Sequence, residues 1–242
     1  MTREHVWPDW LRRRVSVSDA VAHRQVFEHH GQTIRERDWS AQPFKMTVRA
    51  VCRACNNGWM HELEHQAESL LGPMLDGRGK ALHRDGQASL ARWALKTALM
   101  FDQASAADAR AFSDRYYREL PDGRDPPPGT WVFMTAYEGQ LWGVSAVVAV
   151  ETTMAGQPPP DGHNFVTRTF SMDKVVFQVV ETTNPGLVEM TLNFPEPNIH
   201  RLWPYGGSLT WMPVPALTDQ GLPWFAEQMV GSLIQSSETF EP

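Results

Sequence analysis

At 242 residues, 42% of them hydrophobic and 21% charged, the chain can bury a sizeable core, which argues against a disordered or fibrous protein. No apolar run approaches the roughly 20 residues that span a bilayer, and the opening MTREHVWPDWLRRR has no segment of signal-peptide type, so a cytoplasmic protein without membrane contact is expected. The formal charge of −6 argues against a general polyanion binder but hides a gradient: residues 1–60 hold ten Lys/Arg against six Asp/Glu, a net of +4, which leaves −10 on the remaining 182 residues.

Up to about residue 42 the chain is polar, rich in histidine and weakly patterned. FKMTVRAVC then alternates, with Phe44, Met46, Val48, Ala50 and Cys52 on one face, which predicts a strand running into Cys52-Arg-Ala-Cys55. Behind the turn residues Asn56, Asn57 and Gly58, the spacing of Met60, Leu63, Ala67, Leu70 and Leu71 predicts a helix, ended by GPMLDGRGKAL. Leu90, Trp93, Ala94, Thr97, Ala98 and Phe101 mark a second amphipathic helix, with Lys96 off the apolar stripe and so on the surface. Ser105 and Asp108 resemble a capping box and predict a further helix that carries Phe112 and Tyr116 inward.

After LPDGRDPPPG the composition turns to Val, Thr, Phe and Trp. TWVFMTAY and QLWGVSAVVAV flank Glu138-Gly139 and predict a hairpin, and NFVTRTFSM, KVVFQVVET, LVEMTLNF and SLTWMPV follow at the spacing of an antiparallel sheet. Pro223 suits the first turn of a final helix bearing Phe225, Met229 and Leu233. The expected class is α+β: a small module over residues 1–72, a helical segment over 73–124, and an antiparallel β lobe with a terminal helix over 125–242. That lobe has only Arg168, Lys174 and Arg201 against twelve acids, so it suits a protein partner or homodimer contact better than a phosphate backbone. Its tryptophans, Trp131, Trp142, Trp203, Trp211 and Trp224, supply core.

The chain's only cysteines, Cys52 and Cys55, are half of a tetrahedral zinc site by spacing, with two ligands due from elsewhere. Glu4 and His5 put a hard ligand and a base side by side, and Asn56 offers a neutral amide oxygen suited to magnesium or manganese. His61 and His65, at i and i+4, either chelate a metal or belong to a solvated face with Glu62, Glu64 and Glu68. His29 and His30 are surface residues or substitute ligands. Arg12, Arg13 and Arg14 either clamp phosphate or form a solvated basic run. Trp7, Trp10 and Trp59 are either a small core or platforms for bases.

TREHVWPDWL together with VCRACNNGWM resembles the HNH endonucleases, His-Me-finger nucleases built on a ββα-metal unit, over about the first 70 residues. The resemblance implies a metal-dependent endonuclease acting on nucleic acid, DNA in first place. It assigns His5 as general base, Glu4 and Asn56 as ligands of a catalytic Mg2+ or Mn2+, and Cys52 and Cys55 as part of a structural Zn2+ site. Zinc-bearing members carry a second Cys-x-x-Cys shortly before the acidic-His step, where this chain has four residues. The family's middle asparagine also has no counterpart between His5 and Cys55, so Gln32, Gln42 or a histidine would take its place. The alternative is a degenerate, non-catalytic zinc module that binds nucleic acid or protein.

Overall fold

The alternation before the cysteine pair does form a strand, and its partner is the N-terminus. A computed structural model describes residues 2–15, 19–29, 32–151, 163–183, 199–212, 214 and 217–226, with the backbone alone at 28 and 29. In it β1 (Thr2–His5) runs antiparallel to β4 (Thr47–Val51), pairing Glu4 with Val48 and His5 with Thr47. Thr2 faces Val51, so β4 carries one extra residue between these pairs, a bulge that changes which side chains turn inward. Met46 and Val48 are buried as the alternation predicts; beyond the bulge Val51 is buried and Ala50 exposed.

The short helix α1 (Asp9–Arg12) follows β1, and α2 (Arg53–Cys55) follows β4. Residues 56–60 form a wide helical turn kinked at Gly58 (φ −103°, ψ −115°), and α3 (His61–Leu75) continues from it. Met60, Leu63, Ala67 and Leu71 are buried along α3 as expected. Gly72 and Pro73 do not end this helix. It runs one turn further, where Met74 and Leu75 are buried and the Gly77 and Arg78 amides take up the carbonyls of Met74 and Pro73.

The polar stretch with no visible pattern is a β-hairpin, β2 (Val21–His29) and β3 (Gln32–Ala41). His30 and the side chain of His29 lie outside the described residues. β2 pairs in parallel with β7 (Ser145–Glu151), which places the hairpin in a seven-stranded sheet with β6 (Thr130–Ala136), β8 (Phe165–Met172), β9 (Val175–Thr182) and β10 (Ile199–Trp203). The order is β10-β6-β9-β8-β7-β2-β3. The expected antiparallel sheet is therefore mixed, because a strand from far upstream completes its edge.

Glu138-Gly139 is not a hairpin turn. β6 pairs with β9 and β10, and β7 with β8 and β2. The Asp219 carboxylate accepts from the Gln140 and Leu141 amides and from the Tyr137 hydroxyl, holding residues 137–141 as a tied loop. The tight turn lies instead between β8 and β9, where Asp173 takes φ 50°, a conformation Asp tolerates. SLTWMPV yields β11 (Leu209–Trp211), which pairs with β5 (Lys80–Leu82) outside the large sheet. LVEMTLNF lies outside the described residues, as do Met229 and Leu233, while residues 221–226 are helical and Phe225 is buried.

The long helix α4 (Arg84–Ala104) packs between α3, β4 and one face of the large sheet. Leu90, Trp93, Ala94, Ala98 and Phe101 are fully buried, in one core with Trp7, Phe170 and Phe177. Ser105 ends α4, its amide bonding the Asp102 carbonyl; a single 3-10 turn (Ala107–Ala109) follows, with Ala106 rather than Ser105 before it, and the next α-helix is α5 (Asp114–Glu119). Phe112 and Tyr116 are nevertheless buried. On the other sheet face, Phe165, Val176 and Val180 pack with Leu222 and Phe225. Among the described residues no helix is long and apolar enough to cross a membrane.

Candidate functional site

The antiparallel register brings residues about 50 positions apart to one place. Asn56, at the C-terminal edge of α2, donates its side-chain N–H to the Thr2 hydroxyl (3.3 Å) and the Arg3 carbonyl (3.2 Å). Its amide nitrogen is thus occupied by β1, which leaves Oδ1 as the atom free for a cation. Glu4, His5 and Asn56 line a cleft of about 390 Å³ with Arg13, His61 and His65. All three residues assigned to catalysis or to the catalytic ion, and both helix histidines, therefore share one wall. His61 and His65 are exposed, and His5 is half-buried with no side-chain partner among the described residues. Among the described residues no side chain bonds His5 in the role of the middle asparagine.

Of the three arginines, only Arg13 reaches the cleft, where it stands 3.6 Å from Glu68. Arg12 donates to the Phe44 carbonyl at 2.9 Å, and Arg14 pairs with Asp76 at 3.1 Å. The triple-arginine phosphate clamp is thus reduced to Arg13, joined by Arg3. Trp7 and Trp10 are core: the Trp7 ring lies 5.3 Å from Phe101 and 5.4 Å from Trp142, and Trp10 packs on Trp93. Trp59 is half-buried under Arg92.

Two residues of this site escape the sequence reading. Lys96 is 1% exposed, not on the surface, and its Nζ donates to Glu4 Oε1 at 2.8 Å and to Glu64 Oε1 at 2.6 Å. Glu64 is correspondingly no part of a solvated face; it lines the cleft beside Glu4. Burial pulls the Lys96 ammonium down, but the two carboxylates outweigh that and its pKa ends above the ordinary lysine value. A signal was present: Lys96 is the lone charge in SLARWALKTALMF after Arg92, a stretch apolar nearly all round, and a helix of that kind is buried. A buried lysine requires an acid partner.

The cysteines lie outside the cleft. Cys52 precedes α2, and its Sγ accepts the Cys55 amide at 3.1 Å, a capping contact. The two sulfurs are 2.9 Å apart, and the hydrogen bond between them lowers the Cys52 thiol and raises that of Cys55. Among the described residues no three His, Cys, Asp or Glu side chains converge closely enough to hold a metal ion. The cysteine pair thus supplies two zinc donors, and nothing described completes a four-ligand shell. Glu4, Asp9, Glu64 and Glu68 line the cleft with Arg3 and Arg13, and with Lys96 bonded to Glu4 and Glu64 these charges leave one net negative.

No family model matches the chain, and neither a curated protein nor a solved structure matches it.

Proposed function

We propose that the chain is a metal-dependent endonuclease of HNH type that hydrolyses nucleic-acid phosphodiesters at the cleft between β1 and α3, DNA in first place. One observation supports the reading above the others: Glu4, His5 and Asn56, the residues the resemblance assigns to the reaction, line a single cleft. His5 takes the proton from the attacking water, and Glu4 and Asn56 would hold the divalent ion through their side-chain oxygens. A bound Mg2+ or Mn2+ would supply Lewis-acid stabilisation of the charge developing on the phosphate and leaving oxygens. Arg3 and Arg13 face the incoming backbone. The acidic β lobe stays off the nucleic acid and serves a protein partner or a second copy.

The test is nicking of supercoiled plasmid with Mg2+ or Mn2+. Wild type converts it, and His5→Ala is slower by at least about 100-fold, the usual worth of a positioned base. Equal rates for the two would remove His5 from the mechanism. That no described residue bonds the His5 side chain favours a second reading, a non-catalytic module that binds nucleic acid or protein. It predicts retention of labelled DNA or a partner with no cleavage under any metal.

A further inference from the structure

Two carboxylates, Glu4 and Glu64, line the part of the cleft next to Asn56, and the same ammonium bonds both. Lys96 bonds Glu4 and Glu64 through Oε1 alone, and among the described residues neither Oε2 has a partner. Glu4 is nine-tenths buried, and its second oxygen is left without a protein partner among the described residues. Glu4, Glu64, Asn56 and His61 line one opening of about 310 Å³. Asn56 keeps Oδ1 toward the same space because β1 holds its nitrogen.

We infer that Glu64 is a further oxygen ligand of the divalent ion, held opposite Glu4 by Lys96. This rests on the proposed nuclease site but names a residue which the HNH resemblance does not supply. The chemistry of the ion accounts for the donor set. Magnesium gives up water reluctantly and is bound by one or two carboxylates plus substrate phosphate rather than by an all-protein cage. Two carboxylates and one amide oxygen meet that need without a convergent triad. Charge gives an independent argument. Glu4, Glu64 and Lys96 together leave one negative charge in a poorly solvated place, a doubly charged cation turns that into one positive charge, and a phosphodiester brings the assembly to neutrality. With Glu4 and Lys96 alone the pair would already be neutral and would have little pull on a cation. Lys96 acts as a positioning residue, since it removes the repulsion between the carboxylates and aims their second oxygens.

Binding of Mn2+ to the full chain, followed by the loss of the free-ion electron paramagnetic resonance signal, tests this directly. Wild type binds one Mn2+. Glu64→Gln keeps an oxygen for Lys96 yet loses the charge, and weakens binding at least tenfold, as does Glu4→Gln. Glu62→Gln, on the same helix but outside the opening, leaves binding unchanged. Glu64→Asp, which keeps the charge but withdraws it, weakens binding at least threefold and serves should Glu64→Gln fail to fold by circular dichroism. Wild-type affinity in both Glu64 variants, or no Mn2+ bound by wild type, overturns the inference. Plasmid nicking run in parallel separates it from the nuclease reading. A wild type that binds Mn2+ through Glu64 and cuts nothing refutes the nuclease alone, while nicking that is unaffected in Glu64→Gln, with unchanged Mn2+ binding, refutes the ligand alone.

Discussion

Replacing Lys96 by Met keeps most of the aliphatic stem and removes only the ammonium, so packing is nearly conserved and the electrostatic change is isolated. The side chain is 1% exposed and bonds two carboxylates that are themselves 10% and 20% exposed. Its loss strands two negative charges against each other with little water to screen them. Removal of one partner from a buried pair costs about 3–5 kcal/mol. For a chain of this size each kcal/mol lowers Tm by about 2–4 °C. Urea unfolding at pH 8, followed through the fluorescence of the ten tryptophans, should therefore show Lys96→Met less stable by about 3–5 kcal/mol. Lys96→Met with both Glu4→Gln and Glu64→Gln should recover at least about half of the loss, since no charge is then left unpaired. The sign of the pH dependence follows from the raised lysine pKa. The ammonium's contribution in wild type is fully present below about pH 10.4, the unfolded value, and disappears as pH climbs through the higher folded value. A loss under about 1 kcal/mol in Lys96→Met at pH 8 would refute the buried triad.

His23 gives a second pH signature: burial, and then the Arg168 charge, hold its pKa down to about 4, and its Nδ1 is 2.9 Å from the Ser145 hydroxyl. A histidine lowered from about 6.5 stabilises fully above that pH and loses its contribution as pH falls toward 4, with a ceiling near ~3 kcal/mol. His23→Phe, which keeps the stack on Trp39, should flatten the slope of stability between pH 6.5 and 4; an unchanged slope would show that His23 does not titrate there. Cys52→Ser retains an N-cap acceptor for the Cys55 amide, so in EDTA its urea midpoint should correspond to a change within ~0.5 kcal/mol. A larger loss appearing only without chelator, matched by EDTA treatment of wild type and by zinc in the purified chain, identifies a metal held by the pair.

What the sequence revealed of the fold follows how each element is buried. α3 buries one stripe, so its period survives in the residue order; α4, buried on all sides over residues 93–102, still shows large apolar side chains at helical spacing, and β8 and β9, central in the sheet, read as dense runs of Val, Phe and Thr. β3 is an edge strand exposed along nearly its whole length, so it has no hydrophobic period to read. β2 buries His23 and Gln25 as well as Val26 and Phe27, and polar residues of that kind disguise a strand. The Glu138-Gly139 hairpin failed for a different reason. Short-range turn signals assume that consecutive strands pair, whereas β9 occupies the place beside β6, a fact carried by pairs such as Thr130 with Glu181, far apart in the chain.

The candidate site divides along the same line. Glu4, His5 and Asn56 could be read because each sits in a local motif, and a motif needs no knowledge of what packs behind it. The pairing of Lys96 with Glu64 could not: the apolar surroundings of Lys96 signal its burial, but nothing local points to a helix glutamate 32 residues earlier as its partner. Arg12 and Arg14 show the converse. Adjacent in sequence to Arg13, they are turned by α1 toward Phe44 and Asp76, so three consecutive guanidinium groups do not make one clamp. A ligand set for a hard divalent ion therefore depends on tertiary pairing more than on motif. That is why the Mn2+ titration of Glu64→Gln bears on the site more directly than any further search for Glu-His or Cys-x-x-Cys patterns.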